Sequence, residues 1–161
     1  MQECIFCGIV GGSVPSKKVY EDDRALIVLD IYPANPGHLL LLPKEHFAVL
    51  NQLPEEIVEH LGLISKRATE LLFKLLKAEG VTIFVANGAA AGQRAPHLII
   101  HIIPRFGGDG LNFGIAEKEF AEEEMAALYE RMQPALKNWF AEHAQPKEPV
   151  DLDKLAELLL K

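Results

Sequence analysis

The chain has 161 residues, of which 49% are hydrophobic and 24% are charged. This length and composition predict a globular domain with a sizeable core. No apolar run reaches the roughly 18 residues that a membrane-spanning helix needs. The N-terminal sequence MQECIFCGIV has neither the basic start nor the small-residue cleavage site of a signal peptide. We therefore expect a cytoplasmic protein with no membrane partner.

The formal net charge of −7 bears on the choice of partner. Nucleic-acid binding depends on Lys and Arg contacts to phosphates, so an acidic chain argues against a nucleic-acid partner. A small anion remains compatible with this charge if its site supplies local positive charge or backbone N–H groups.

The first part of the chain predicts three strands. Residues 18–30 are typical of a strand, a turn and a second strand, because a short apolar run follows the acidic residues 21–23. Proline and glycine then break the chain, and another strand is predicted over 38–43.

A long helix and two more strands follow. Apolar residues recur at helical spacing over 54–79, and Gly80 is suited to end this helix. β-Branched residues predict a strand over 81–87. The next strand covers 97–103 and is expected to end at Pro104.

The C-terminal part is predicted to be helical. A glycine-rich loop over 106–117 precedes a helix over 119–143, which Pro134 is expected to kink or interrupt. A link at 145–150 leads to a final helix, 151–161, whose apolar stripe needs a partner surface. That surface is either the chain's own domain or a dimer partner.

The order of strands, helix, strands and helices predicts an α+β domain with a mostly antiparallel sheet. We expect this domain to cover residues 1–117. The C-terminal helices, 118–161, are expected to form an extension packed on the same domain.

The segment HLIIHIIPR, residues 97–105, has an unusual histidine pattern. Side chains alternate between the two faces of a strand, so the even-numbered apolar residues cover the core, and His97, Ile99 and His101 line the opposite face. The two histidine Cα atoms would lie roughly 13 Å apart, which is too far for one metal ion with bonds near ~2 Å. The two histidines are therefore predicted to have different roles.

The only two cysteines, Cys4 and Cys7, have the spacing of a zinc knuckle. Two buried small residues are the ordinary alternative, and a thioredoxin-like redox pair is less favoured because CIFC precedes the strands. A metal would need two more ligands, for which His46 and His97 are candidates. The other histidines are weaker candidates because each has an ordinary structural explanation: His38, His60 and His143.

Several motifs carry a resemblance to a known family. They are Phe6 after Cys4 and the segments 29–46, 87–93 and 97–105. In these motifs the sequence resembles the histidine-triad nucleotide-binding family. The resemblance implies an α+β fold with a five-stranded antiparallel sheet and a main helix, a homodimer and binding of a purine nucleotide. Active members of that family are hydrolases or transferases acting on a nucleoside phosphoryl group.

Members of the family with an N-terminal C-x-x-C motif are more similar still. In them the two cysteines and two histidines hold a structural zinc. Carried over by position, the resemblance implies Zn²⁺ bound by Cys4, Cys7, His46 and His97. A closed Cys2His2 site is structural because no coordination position is left for water or substrate.

The resemblance also implies how a nucleotide would bind. Asp30 would bind the ribose hydroxyls, and His101 would donate a hydrogen bond to the phosphate. Gly92 and Gln93 lie in the loop that faces the phosphate, where glycine lets backbone N–H groups approach an anion. An apolar slot for the base would be formed by Ile5, Phe6, Ile9, Val28 and Ile31.

The sequence departs from the family at the residue that carries its chemistry. The middle histidine of the triad attacks phosphorus and forms a covalent nucleotidyl-histidine intermediate; here that position is Ile99. Isoleucine has no lone pair and no proton to transfer, so it is neither a nucleophile nor a base.

Two further departures lie near the predicted phosphate loop. The family usually has asparagine where this chain has Ala86, and the asparagine present is Asn87, which either contributes to the nucleotide site or only ends a strand. Arg94 occupies a position where the family has a small residue. It either supplies positive charge to the phosphate or faces solvent.

Three functions remain open from the sequence. The favoured one is a binding module that turns a nucleotide over slowly or not at all, because of Ile99. An alternative is a nucleoside phosphoramidate or dinucleoside polyphosphate hydrolase, or a nucleotidyl transferase, with His101 as general base and Arg94 or Arg105 at the phosphate. The third is a scaffold that uses the helix at 151–161.

Overall fold

The structure is a computed structural model that describes residues 4–143. The chain divides into two compact units between Asn112 and Phe113. The predicted link at 145–150 and helix at 151–161 lie outside the described residues. The boundary at residue 117 and the packing of the extension on the domain stay predictions. None of the helices among residues 4–143 combines the length and the hydropathy of a membrane-spanning segment.

The first unit contains a five-stranded sheet in which every neighbouring pair of strands is antiparallel. The strand order is β1-β2-β3-β5-β4. This confirms the predicted α+β fold with a five-stranded antiparallel sheet. The strands are β1 (Lys18–Glu21), β2 (Ala25–Leu29), β3 (Leu39–Pro43), β4 (Gly80–Phe84) and β5 (Ile100–Arg105).

The described residues form three α-helices: α1 (Ile5–Val10), α2 (Glu55–Leu76) and α3 (Glu122–Glu142). Helix α1 was not predicted, because six residues are too few to show helical periodicity. Helix α2 ends at Leu76, where Lys77 takes the left-handed conformation (φ 56°) that usually falls to glycine. Gly80 was expected to end this helix and instead begins β4.

The central strands are buried on both faces, which explains the unbroken apolar sequence of β3. One face packs against α2 through an alternating set of strand residues. The other packs against α1, with Ile99 on the same side. The core on the α2 side includes Ala25, Ile27, Leu39, Leu41, Leu61, Ile64, Ala68, Leu72, Leu98, Ile100 and Ile102. The core on the α1 side is formed by Leu26, Val28, Leu40 and Leu42, with Phe6, Ile9, Val10 and Ile99 packed against it.

Strand β5 begins at Ile100 and continues through Pro104, so the predicted bounds of 97–103 were wrong at both ends. His97 and Leu98 therefore precede the strand. Pro104 pairs with Val81 of β4, but its nitrogen points to the opposite side, since Arg105 is the neighbour whose carbonyl accepts from Glu79 N–H on the β4 side. On the side of Pro104 the β3 ladder has already ended at the pair Leu39–Ile102, so no strand requires a proline N–H there. The Pro104 carbonyl beyond that end accepts a hydrogen bond from Asn35 Nδ2 at 2.9 Å.

The chain leaving β5 is held by a charged network. Arg105 donates to Asp109 through Nε at 2.7 Å and through Nη2 at 2.9 Å. The same carboxylate accepts a bond from Asn35 and bonds from backbone N–H groups. The Arg105 guanidinium, together with these donors, holds the pKa of Asp109 well below its usual range.

Helix α3 belongs to the second unit. It is one helix over Glu122–Glu142 with Pro134 inside it, so the proline does not interrupt it. None of its described residues is buried, although it carries Met125, Leu128, Met132, Leu136 and Phe140.

Leu61→Ala is expected to lower the free energy of unfolding by about 2–5 kcal/mol, because it opens a cavity in the core between α2 and the sheet. Leu61 is 1% exposed, whereas Leu75 on the same helix is 68% exposed. Leu75→Ala, the matched control, should cost less than about 1 kcal/mol. Chemical denaturation of both variants measures the difference, and equal losses would contradict this assignment of the core.

Candidate functional site

A cleft of about 440 Å³ opens on the α1 side of the sheet, beside the loop that precedes β5. Six of the residues predicted to bind nucleotide line it. Ile99 lines it as well, together with His97. The six are Phe6, Asp30, Gly92, Gln93, Arg94 and His101.

His97, Ile99 and His101 all line the cleft, while their even-numbered neighbours lie in the core beneath α2. His101 is paired in register with Leu40 of β3 and with Phe84 of β4. This pairing fixes which face the alternating side chains reach. His97 is 1% exposed, so it is the deepest of the three.

Cys4, Cys7, His46 and His97 converge at one point, and their ligand atoms all lie within 4.8 Å of one another. Cys7 Sγ is 3.1 Å from His46 Nδ1 and 3.7 Å from His97 Nδ1. Cys4 Sγ is 3.6 Å from the same His97 nitrogen. Two thiols and two imidazoles are the donors that a tetrahedral zinc site uses, so these residues fit the metal that the sequence implies.

His97 is oriented towards the cysteines by its other ring nitrogen. Nε2 lies 3.1 Å from the carbonyl oxygen of Pro43, which can only accept, so Nε2 carries the proton and donates it. Nδ1 is then the unprotonated nitrogen, and it faces both thiols. Burial lowers the pKa of His97, which keeps the ring neutral and available as a ligand.

A metal ion would change the protonation of the two thiols. Burial, and then the neighbouring Cys4, raise the pKa of the Cys7 thiol. Without positive charge nearby, the pair would resist becoming thiolates, which are the metal-binding form. A metal ion reverses this preference because it stabilises the deprotonated sulfur.

A second cluster joins Asp30, His38 and His101. His38 Nε2 is 3.0 Å from His101 Nδ1, and His38 Nδ1 is 3.3 Å from Asp30 Oδ2. Asp30 and His101 therefore contact different nitrogens of the His38 ring. The three side chains form a row with His38 in the middle, and they do not surround a common point as metal ligands would. Burial lowers the pKa of both histidines, so both rings are neutral near pH 7.

His38 is the site residue that sequence reasoning gave too little weight. His38 immediately precedes β3, and Asp30 immediately follows β2. The Asp30 N–H donates to the His38 carbonyl at 3.0 Å. The antiparallel pairing of β2 with β3 brings these two residues together. The short break between the strands was the available signal, because the ends of a hairpin lie side by side.

The loop before β5 takes its shape from Gly92 and Gln93. Gly92 has φ 84°, which favours glycine. The Gln93 amide donates to the carbonyls of Ala48 and Ala95, and its oxygen accepts from Gly88 N–H. The Gln93 side chain therefore organises the loop from within.

The predicted base slot is only partly assembled. Phe6 lines the cleft, while Ile9 and Val28 lie in the core on the α1 side. Ile5 is 57% exposed beside the cysteines, and Ile31 is 77% exposed; neither lines the cleft.

Two polar residues considered for the site lie elsewhere. Asn87 Oδ1 accepts a bond from Leu50 N–H at 2.8 Å and does not line the cleft. Arg105 is engaged by Asp109. Among the described arginines, Arg94 alone lines the cleft, and its side chain is exposed.

Three known proteins show what the chain is similar to. An uncharacterized HIT-like protein of Methanocaldococcus jannaschii is 43% identical over 107 residues, covering 66% of this chain and 82% of that protein. The adenosine 5′-monophosphoramidase of Schizosaccharomyces pombe is 35% identical over 135 residues, covering 83% of this chain and 98% of that enzyme. The solved structure of a zinc-bound histidine triad family protein from Mycobacterium smegmatis has a TM-score of 0.66 at 34% identity, covering 84% of this chain and 96% of that one.

The HIT domain family model matches residues 12–108, which is more than half of the chain. The five-stranded antiparallel sheet and the cleft both lie largely within this range. The chain therefore belongs to the HIT domain family.

Proposed function

We propose that this HIT-family protein binds a purine nucleotide in the cleft, carries a structural zinc and forms no covalent nucleotidyl-histidine intermediate. The observation that carries the proposal is the position of Ile99. It lines the cleft between His97, whose Nδ1 faces the cysteines, and His101, whose Nδ1 contacts His38.

Ile99 lies where the resemblance requires the attacking nitrogen. A hydrocarbon side chain offers no lone pair to phosphorus and no site for a proton. In both neighbouring histidines Nδ1 already has a contact: that of His97 faces the cysteines, and that of His101 contacts His38. No other described histidine lines the cleft, so the covalent route has no nucleophile of this type.

Nucleotide binding is supported by what surrounds Ile99. Arg94 and the loop at Gly92 supply positive charge and accessible backbone in a chain of net charge −7. Asp30 lies at the same cleft, with its Oδ1 accepting from Tyr32 N–H at 2.9 Å. The similarity to an adenosine 5′-monophosphoramidase favours an adenosine 5′-monophosphate group as the ligand.

The zinc is proposed from the four convergent donors and from the orientation of His97. Cys4 and Cys7 flank the start of α1, so an ion at this point would fasten the N-terminal helix to the segment that leads into β5. All four positions of a tetrahedral ion would be filled by protein, which suits a structural role and leaves the nucleotide cleft free of it.

One observation favours the alternative of an active hydrolase. The Asp30–His38–His101 chain resembles the arrangement by which a carboxylate orients a catalytic imidazole. In this alternative His101 takes a proton from water and Arg94 stabilises the phosphate. It requires His101 Nε2, the nitrogen away from His38, to be unprotonated. The homodimer that the family resemblance implies, and a cytoplasmic location, remain predictions for either function.

The purified protein is expected to hold about one zinc ion per chain by elemental analysis, and Cys4→Ser should lose most of it. His46→Gln should also lose metal, whereas His143→Gln, at an exposed histidine outside the cluster, should keep it. Thermal unfolding should follow the metal content because the ion stabilises the folded state. Full retention of zinc by Cys4→Ser would contradict the assigned ligands.

Arg94→Ala is expected to weaken binding of adenosine 5′-monophosphate by about tenfold, because it removes the cleft's guanidinium from the phosphate. Calorimetry measures the dissociation constant. The control is Arg24→Ala, since Arg24 lies in the β1–β2 turn with its side chain 47% exposed. Unchanged affinity in Arg94→Ala would remove Arg94 from the site, and an inert parent protein would contradict nucleotide binding.

Ile99→His should raise hydrolysis of a fluorogenic adenylate phosphoramidate by about a hundredfold or more over the parent, because it restores a nucleophile. Ile99→Leu, which keeps an apolar side chain of the same size, should give no gain. A parent protein that already turns this substrate over at an ordinary enzymatic rate would overturn the proposed loss of covalent catalysis.

A further inference from the structure

A separate cavity opens between β1 and α2, with a volume of about 240 Å³. We call it the β1–α2 cavity; it is lined by two residues of β1, four of α2, and Ile27 and Leu39 of the central strands. Ile27 and Leu39 are buried and belong to the core on the α2 side of the sheet. Because the cleft opens on the α1 side, the two cavities lie on opposite faces of the sheet and share no lining residue.

An irregularity in β1 shapes one wall of this cavity. Side chains normally alternate between the faces of a strand, yet the consecutive residues Val19 and Tyr20 both line the cavity. The register of β1 against β2 shifts between Lys18 and Tyr20, which leaves Val19 as an extra residue on this edge strand. Such a bulge re-aims side chains and is frequent next to functional sites. The bulge thus directs two large, exposed side chains to one recess.

On the α2 side the cavity owes its depth to Ala68. Helix α2 places leucine or isoleucine at its other buried apolar positions, Leu61, Ile64 and Leu72, whereas Ala68 has only a methyl group. Leu71, in the next turn of the helix, lines the same cavity and is exposed. The result is a recess with an apolar floor and one open side, which is the usual form of a small-molecule site.

Arg67 is the one charged residue that lines the β1–α2 cavity. Its guanidinium lies near Tyr20, since it partly opposes the rise in the pKa of Tyr20 that the hydrogen bond to Asp22 causes. Among the ion pairs of residues 4–143, none includes Arg67, although the neighbouring Lys66 pairs with Glu70 at 3.7 Å. The apolar recess therefore has a positive charge that no described acid pairs with.

Asp22 contacts the cavity wall, but its carboxylate is taken by other donors. It accepts hydrogen bonds from the Tyr20 hydroxyl at 2.7 Å, from His60 Nε2 at 2.9 Å and from two backbone N–H groups. The Tyr20 hydroxyl is thereby occupied as a donor. Among the side chains that line the cavity, Arg67 is the donor left for a ligand, so the complementary ligand is anionic at one end.

We propose that the β1–α2 cavity binds a small amphipathic carboxylate, with its apolar chain against Ile27, Leu39 and Ala68 and its head group at Arg67. The volume of about 240 Å³ is below the roughly 300 Å³ at which sites for drug-sized ligands begin, so a medium-chain monocarboxylate is of suitable size. The proposal is independent of the nucleotide in the cleft, because the two sites share no residue.

The direct test is a titration of the purified full-length protein with sodium octanoate, followed by methyl ¹H–¹³C correlation spectra. The methyl signals of Val19, Ile64 and Leu71, assigned by single substitutions, should shift and saturate. Octylammonium, which has the same chain and the opposite charge, should bind at least about tenfold more weakly. Equal binding of the two ions would overturn the proposal, as would the lack of a saturable shift at these methyls. Shifts of the same signals with protein concentration alone would also overturn it, because a second copy of the chain would then cover the cavity.

Two matched pairs of variants test the charge and the space separately. Arg67→Gln should weaken octanoate binding about fivefold, whereas Lys66→Gln, which removes the same charge from the adjacent residue, should change it by less than about twofold. Ala68→Met should fill the cavity and abolish binding, whereas Leu63→Met, at an exposed position of α2 outside the cavity, should not. Equal affinities in the two charge variants would contradict the role of Arg67, and this comparison decides the matter if Ala68→Met fails to fold.

Discussion

The site depends on the pairing of β5 between β3 and β4. His101 faces Leu40 on one side and Phe84 on the other, and this register cannot shift by one residue without moving the core side chains out from under α2. Residues 97, 99 and 101 are therefore directed to the face that carries α1 and the cleft. Most of what we infer about function follows from which three side chains stand at these alternate positions.

The side chains of His97, Ile99 and His101 have different surroundings in the cleft. His97 faces the cysteines of the N-terminal segment, Ile99 forms part of the cleft wall, and His101 contacts His38. In each histidine, one ring nitrogen contacts a protein group, and the other is left for the proposed metal ion or nucleotide. For His97 the contacting nitrogen faces the Pro43 carbonyl, and for His101 it faces His38. In our proposal, these contacts prepare the His97 ring as a metal ligand and the His101 ring as a hydrogen-bond donor.

The sequence predicted local features better than contacts between distant residues. The strand periodicity over 97–103 correctly placed Leu98 and Ile100 in the core, and the apolar spacing over 54–79 located α2. Pro104 was misread because its tolerance depends on where the neighbouring strand ends, which local sequence does not contain. The end of α2 was misread for a related reason, since a lysine took the conformation expected of a glycine.

The site residues divide in the same way. The four residues that the family resemblance implies as metal ligands lie together. Arg105 and Asn87 make contacts outside the cleft that no sequence motif indicated. Arg105 forms an ion pair with Asp109, and Asn87 accepts a hydrogen bond from the Leu50 N–H. His38 was undervalued because its role appears only when β2 and β3 pair and bring Asp30 and His101 to it.

We propose that the cleft holds a nucleotide against Ile99 without forming a covalent bond to it. The most direct test is a crystal structure of the zinc-loaded protein with adenosine 5′-monophosphate. We predict that a phosphoryl oxygen accepts a hydrogen bond from His101 Nε2 and that the phosphate lies against the Ile99 side chain in van der Waals contact. A phosphate bound away from Ile99 and His101, or one covalently attached to any residue of the chain, would contradict this proposal.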